Sequence, residues 1–218
     1  MKKQHTIALT LIAAAAVVAG CASVPGSADL DKMTADIVKS SFHDHGIVKV
    51  AVLNTDKANT VCAAAEVAGK PLDQEVAMAI QNEQLKTIKW PADGNYMGDW
   101  KKGEQLAQSG KGLTWTDKAD TPNGGNCYNC HQLSGKEISF GTIGPSLYRF
   151  RKNYGIDADP TGPAAKAIVE YAWGKIYNSR AYNACSVMPR AVHNGLITEA
   201  QAKDLMALLL DPNSPVNQ

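Results

Sequence analysis

Cys127-Tyr128-Asn129-Cys130-His131 constrains this chain more than any other stretch of it. C-x-x-C-H is the spacing of c-type haem attachment. Two thiols at this separation reach the two vinyl groups on one edge of a porphyrin, and the adjacent histidine comes under the iron as its proximal ligand. The reading is one covalently bound haem c, held by Cys127 and Cys130, with His131 on the metal. Two other chemistries use a C-x-x-C pair. A thioredoxin-like site wants a βαβ pattern, whereas the flanks here read as glycine-rich loop and helix. A zinc site needs a second ligand pair, and Cys62, Cys185 and His193 supply no second C-x-x-C.

A six-coordinate iron takes one more protein ligand. Met188 is the expected one: it sits in a loop between two predicted helices, and Pro189 biases it toward extended backbone. Met78 and Met206 fall in helical stretches, where a methionine more often packs in a core. Met97 precedes the attachment site, in the Trp90–Trp100 linker. His193 is the competing ligand, and an open iron position is the third option. In Ile143-Gly144-Pro145-Ser146-Leu147, the Pro145 carbonyl is placed to accept the imidazole N–H and fix the ring; an ordinary Gly-Pro turn is the alternative. Cys62 and Cys185 are left over, and in an oxidising compartment such a pair forms a disulfide. It would pin the N-terminal part of the chain to the loop carrying Met188. Free thiols are the alternative.

Compartment is read from the N-terminus. Lys2 and Lys3, an apolar run from Ile7 to Ala19 and small residues after it describe an export signal over 1–20. The run falls short of the ~20 residues a membrane-spanning helix needs. Val18-Ala19-Gly20-Cys21 resembles a lipobox, which would make Cys21 the lipidated new N-terminus and the protein periplasmic and membrane-anchored. Cleavage after Ala22 by the ordinary signal peptidase is the alternative. With 22 basic and 21 acidic residues, the chain has no surplus charge for a nucleic-acid backbone.

Along the mature chain, 22–35 reads as a flexible tether and Ile47–Leu53 as a short strand. Pro71 opens a helix through about Leu85, with Leu72, Val76 and Ile80 on one face. Trp90-Pro91-Ala92-Asp93-Gly94 breaks it and marks a domain boundary. Helices are then expected from Asp99 to Gln108, from Pro163 past Ile176, and after a Thr198/Gln201 capping box up to Pro212. The division is 1–20 signal, 21–95 extension and 96–212 helical domain.

Three blocks carry a family resemblance over about residues 90–212. They are Pro91-Ala92-Asp93-Gly94 with Gly98-Asp99-Trp100-Lys101 and Gly103-Glu104; Gly124 to Gln132 with Ile143 to Leu147; and Tyr177-Asn178-Ser179-Arg180-Ala181-Tyr182-Asn183-Ala184-Cys185-Ser186-Val187-Met188-Pro189-Arg190 with Asp204-Leu205. The C-x-x-C-H, Gly-Pro and Met-Pro elements are common to class I cytochromes c. The Asn178–Cys185 run is far more specific, and with it the chain resembles the SoxX family, the small haem subunits of SoxAX. The resemblance implies an all-α class I cytochrome c fold with a mostly helical N-terminal extension of mixed structure, 21–95. It implies a periplasmic electron-transfer subunit of the L-cysteine S-thiosulfotransferase SoxAX, which joins thiosulfate oxidatively to a cysteine of SoxYZ. SoxA would be the heterodimer partner and hold the reacting haem, and a soluble cytochrome c would take the electrons. Cys127 and Cys130 would be the thioether links, with His131 and Met188 the axial ligands. No general acid–base pair is expected in this chain. The family is soluble, so a lipidated Cys21 is a departure from it. The segment 22–89 reads either as an arm for SoxA or as a wrap around the core. Alternative functions are a stand-alone periplasmic electron carrier and a haem-based ligand sensor; the apolar Met188 loop and its Cys185 link count against the sensor.

Overall fold

A computed structural model describes residues 26–137, 140–158 and 162–218. The signal segment and Cys21 lie outside the described residues. Among those described, the secondary structure is helical and no β-sheet forms. The chain divides into two compact units, 1–45 and 46–218.

In the first unit, α1 runs Ser27–Ser41. Asp29 accepts a hydrogen bond from the Gly26 N–H at 3.3 Å, closing the first turn, and Lys32 pairs with Asp36 one turn on. The tether expected over 22–35 is therefore helix from Ser27. Its Ala, Asp and Lys content is compatible with a helix, and the apolar residues Leu30, Met33 and Ile37 recur at helical spacing. No residue of α1 is buried.

The second unit opens with a 3-10 turn at Val50–Leu53, where a strand was expected. A lone strand has no neighbour for its backbone groups. The run instead closes on itself, with Val52 N–H donating to Lys49 O and Asn54 N–H to Ala51 O. Helix α2, Lys57–Val67, is capped by Asp56, whose carboxylate accepts from Asn59 N–H at 2.8 Å. Helix α3, Gln74–Leu85, starts later than Pro71 because Asp73 caps it, accepting from Glu75 and Val76 N–H. Ile80 of α3 is buried with Ala58 of α2 and Ala184, whereas Met78 faces solvent and is no core residue.

Helices α4 (Trp100–Gln108), α5 (Phe150–Asn153), α6 (Pro163–Tyr177) and α7 (Glu199–Leu210) complete the unit. Asp99 caps α4, Pro163 occupies the first turn of α6, and Thr198 with Gln201 forms the capping box of α7. Helix α4 crosses α7 at backbone contact. A Cβ on Gly103 would lie 2.1 Å from the Asp204 carbonyl oxygen, and the Asp99 N–H donates to the Asp204 carboxylate at 2.8 Å. Leu106, Trp173, Ile176, Leu205, Met206 and Leu208 share one core, Met206 fully buried within it.

The stretch Trp90–Gly94 does not divide the structure. Residues 46–95 belong to the same unit as the helices that follow, and the Trp173 indole N–H in that core donates to Lys89 O at 2.9 Å.

Candidate functional site

The two thiols free among the described residues are Cys127, which opens a 3-10 turn Cys127–Asn129, and Cys130, which closes it; a loop over 109–126 leads to this turn from α4. Two main-chain bonds hang this turn on the end of α4: Gly125 N–H to Leu106 O at 2.7 Å and Asn126 N–H to Ser109 O at 3.0 Å. The approach requires Gly124, since a Cβ there would lie 1.7 Å from the Ser109 carbonyl oxygen. Cys130 and His131 N–H both donate to Cys127 O, which winds the motif tightly enough to put both cysteines and the histidine on successive positions of one turn. Burial pushes the Cys127 thiol up to about 11.

Residues 141–147 are strapped alongside. Gly141 N–H donates to Tyr128 O, Gly144 N–H to Cys130 O and Leu147 N–H to Gln132 O, while the Ser146 hydroxyl donates to the Gln132 side chain. This strap brings the Pro145 carbonyl to 2.7 Å from His131 Nδ1. A carbonyl only accepts, so Nδ1 carries a proton, and of the two neutral tautomers the bond selects the one whose lone pair is on Nε2. Gly144 lies against the ring: a Cβ there would be 2.2 Å from His131 Cε1. The imidazole is thus fixed in tautomer and in plane before any ligand arrives.

Met188 is half-buried and packs on the same apolar core as Cys127, Tyr128 and Leu147. Its carbonyl accepts from the buried Ser179 hydroxyl at 2.5 Å, and its N–H donates to Ser186 Oγ at 3.3 Å. Three residues upstream, Cys185 is joined to Cys62 of α2 by a disulfide. A polar cluster makes a second tie between the same segments. Asp56 pairs with Arg190 at 2.6 Å and Arg180 at 3.2 Å, and Arg180 also donates to the Asn59 side chain. Burial raises the Asp56 pKa, but the Asn59 N–H bond and the two guanidiniums outweigh it and hold the carboxyl below its ordinary range.

The Asn178–Cys185 run has a structural account, residue by residue. Asn178 is fully buried and its amide donates to Gln84 and Thr87. Ser179 holds Met188, Arg180 holds Asp56, Ala181 and Ala184 are buried, and Tyr182 fills the space that Gly174 leaves open. Asn183 caps the Cys185 N–H. His193, the competing ligand, is exposed, its backbone N–H donating to Tyr177 O.

The donor set fits a covalently bound haem. The two motif thiols are unbonded to each other, the neighbouring imidazole presents a free Nε2, and a half-buried thioether belongs to the same core. Among the described residues no group of three or more His, Cys, Asp or Glu side chains is arranged to hold a metal ion directly. The sequence gives Ser179, Arg180 and Arg190 no role beyond their place in the Tyr177–Arg190 block and does not single out Asp56, and only the Gly144-Pro145 pair announces the strap. No helix among the described residues is long and apolar enough to cross a membrane.

No protein-family model matches the chain. It is 38% identical over 170 residues to an uncharacterized lipoprotein of Aquifex aeolicus (strain VF5), an alignment covering 77% of this chain and 75% of the relative. Identity sustained over that length makes the relationship one of common descent, and this chain belongs to the family of that lipoprotein.

Proposed function

We propose that this chain is a lipid-anchored, periplasmic c-type cytochrome with a class I cytochrome c fold, the electron-accepting subunit of a SoxAX-type complex. Cys127 and Cys130 would hold the haem covalently, and His131 and Met188 would supply the protein ligands to its iron. The observation that carries the reading is the His131 Nδ1 to Pro145 carbonyl bond beside two unpaired thiols, a tautomer lock with no purpose in a thioredoxin-like site. Bound there, a haem supplies reversible one-electron chemistry, at a potential raised by a thioether ligand.

The chain's own residues do the positioning. Pro145 keeps the imidazole aimed, Gly144 leaves the ring its space, and Ser179 holds the Met188 backbone. The Cys62–Cys185 disulfide and the Asp56 ion pairs restrain the ligand loop from outside. The sequence run Asn178–Cys185 supports assignment to the SoxX family. There the subunit takes up the electrons released when thiosulfate is joined to the SoxYZ cysteine, SoxA holding the reacting centre and a soluble cytochrome c serving as acceptor. The lipoprotein relative supports acylation of Cys21.

The test is in two stages. Mass spectrometry of the exported protein is expected to find a haem adduct on the peptide carrying Cys127 and Cys130, and no adduct overturns the cytochrome reading. Co-purification with SoxA, and a thiosulfate–SoxYZ conjugation assay that depends on this chain, test the assignment to the complex. A haem protein recovered alone, and without effect on conjugation, is a stand-alone carrier.

A further inference from the structure

We propose that α1 lies along the surface of the bilayer that holds the Cys21 anchor, with Leu30, Met33 and Ile37 among the acyl chains; this rests on the lipoprotein reading above. The three residues recur at i, i+3 and i+7, so they form one stripe of a four-turn helix. They are 49%, 50% and 55% exposed, and Phe42 at the helix end is 50% exposed. Asp31, Lys32 and Lys39 lie on the opposite side, and Asp29 and Asp36 flank the stripe, Asp36 turned toward Lys32 as an ion pair. An amphipathic helix of a globular protein ordinarily buries such a stripe, yet no residue of α1 is buried.

The bilayer is the occupant because of where the chain is tethered. Only Ala22 to Gly26 separate Cys21 from Ser27. At ~3.3–3.6 Å per residue the connection spans about 20 Å at most, so acyl groups on Cys21 keep α1 within reach of the interface at a high effective concentration. A protein partner covers the stripe only while it is bound, whereas the anchor presents the membrane permanently. The charge pattern sets the mode of contact. Asp29, Asp31 and Asp36 outnumber Lys32 and Lys39, so α1 gains nothing from anionic headgroups and is held by apolar contact alone.

The test uses the full, acylated, haem-loaded protein on phosphatidylethanolamine–phosphatidylglycerol vesicles. A nitroxide is attached in turn at Ile37→Cys, on the stripe, and at Lys39→Cys, on the polar side. Its accessibility to dissolved oxygen and to a water-soluble nickel chelate is read by power saturation. The expected result is an oxygen-to-chelate ratio several-fold higher at position 37 than at 39, unchanged at high salt. Equal ratios at the two positions overturn the proposal. So does a label at 37 shielded from both reagents, which means that a protein surface, from a partner or a second copy, covers the stripe. The mass of the N-terminal peptide is measured on the same sample. An unacylated Cys21 removes the lipoprotein reading and this proposal with it, whereas an acylated Cys21 with position 37 in water removes this proposal alone.

Discussion

Gly144 decides whether the His131 ring keeps its orientation. An alanine there would place Cβ 2.2 Å from Cε1, so either the ring or the 141–147 strap must move, and the Pro145 bond is lost with it. Gly144→Ala is expected to cost roughly 1–3 kcal/mol, as overpacking does, measured by denaturant titration, and, on the proposed haem reading, to change the visible spectrum of the loaded protein. Unchanged stability and spectrum would show that the ring has room it does not have here. At this scale the sequence was legible where chemistry demands fixed local spacing: Cys127, Cys130, His131 and the Gly-Pro pair announce themselves within twenty residues. Asp56 and Arg180 did not, because their meaning lies in a partner 124 positions away. Nothing near Asp56 distinguishes a cap from half of an ion-pair cluster, and it is both.

The crossing of α4 and α7 makes the strictest demand on an element. Gly103 brings the two backbones together, and any side chain there meets the Asp204 carbonyl, which cannot rotate away. Gly103→Ala is expected to destabilise by at least the upper part of the ~1–3 kcal/mol range and to lower the thermal midpoint, despite alanine's better helix propensity. A midpoint that rises instead would mean the helices separate freely. Helices with a strong cap before an apolar period were readable: Asp99, Pro163 and Thr198 each start one where expected. Helix α2 was not, since Lys-Ala-Asn-Thr-Val-Cys-Ala-Ala-Ala has neither a clean period nor strong formers throughout, and its place is set by packing against Ile80 and Ala184. Val50–Leu53 misled for the opposite reason. β-Branched residues favour a strand only where another strand is available to pair with.

At the scale of the molecule, two ties join α2 to the loop carrying Met188, and they fail under different conditions. The Asp56 carboxyl has a lowered pKa in the folded state, so its pairing contributes fully above the unfolded value of ~4 and is lost as pH falls through the folded one. Denaturant midpoints measured downward from pH 6 are expected to hold level and then drop below about pH 4. Asp56→Asn should flatten part of that drop, and an identical acid slope in the variant would remove Asp56 from the account. The second tie is indifferent to pH. Cys185→Ser is expected to lower stability by about 2–4 kcal/mol and, on the cytochrome reading proposed above, to release Met188 as a ligand at lower denaturant, seen as loss of the thioether charge-transfer band before global unfolding. Simultaneous loss would mean the loop needs no such restraint. The disulfide also imposes an order of events. Its halves stand 123 positions apart, and Cys127 and Cys130 come between them, so a chain threaded out N-terminus first offers Cys62 two wrong mates before the right one. Oxidation in sequence of arrival therefore yields a mispaired product, and the native bridge calls for reshuffling or for prior capping of the central pair by their own chemistry.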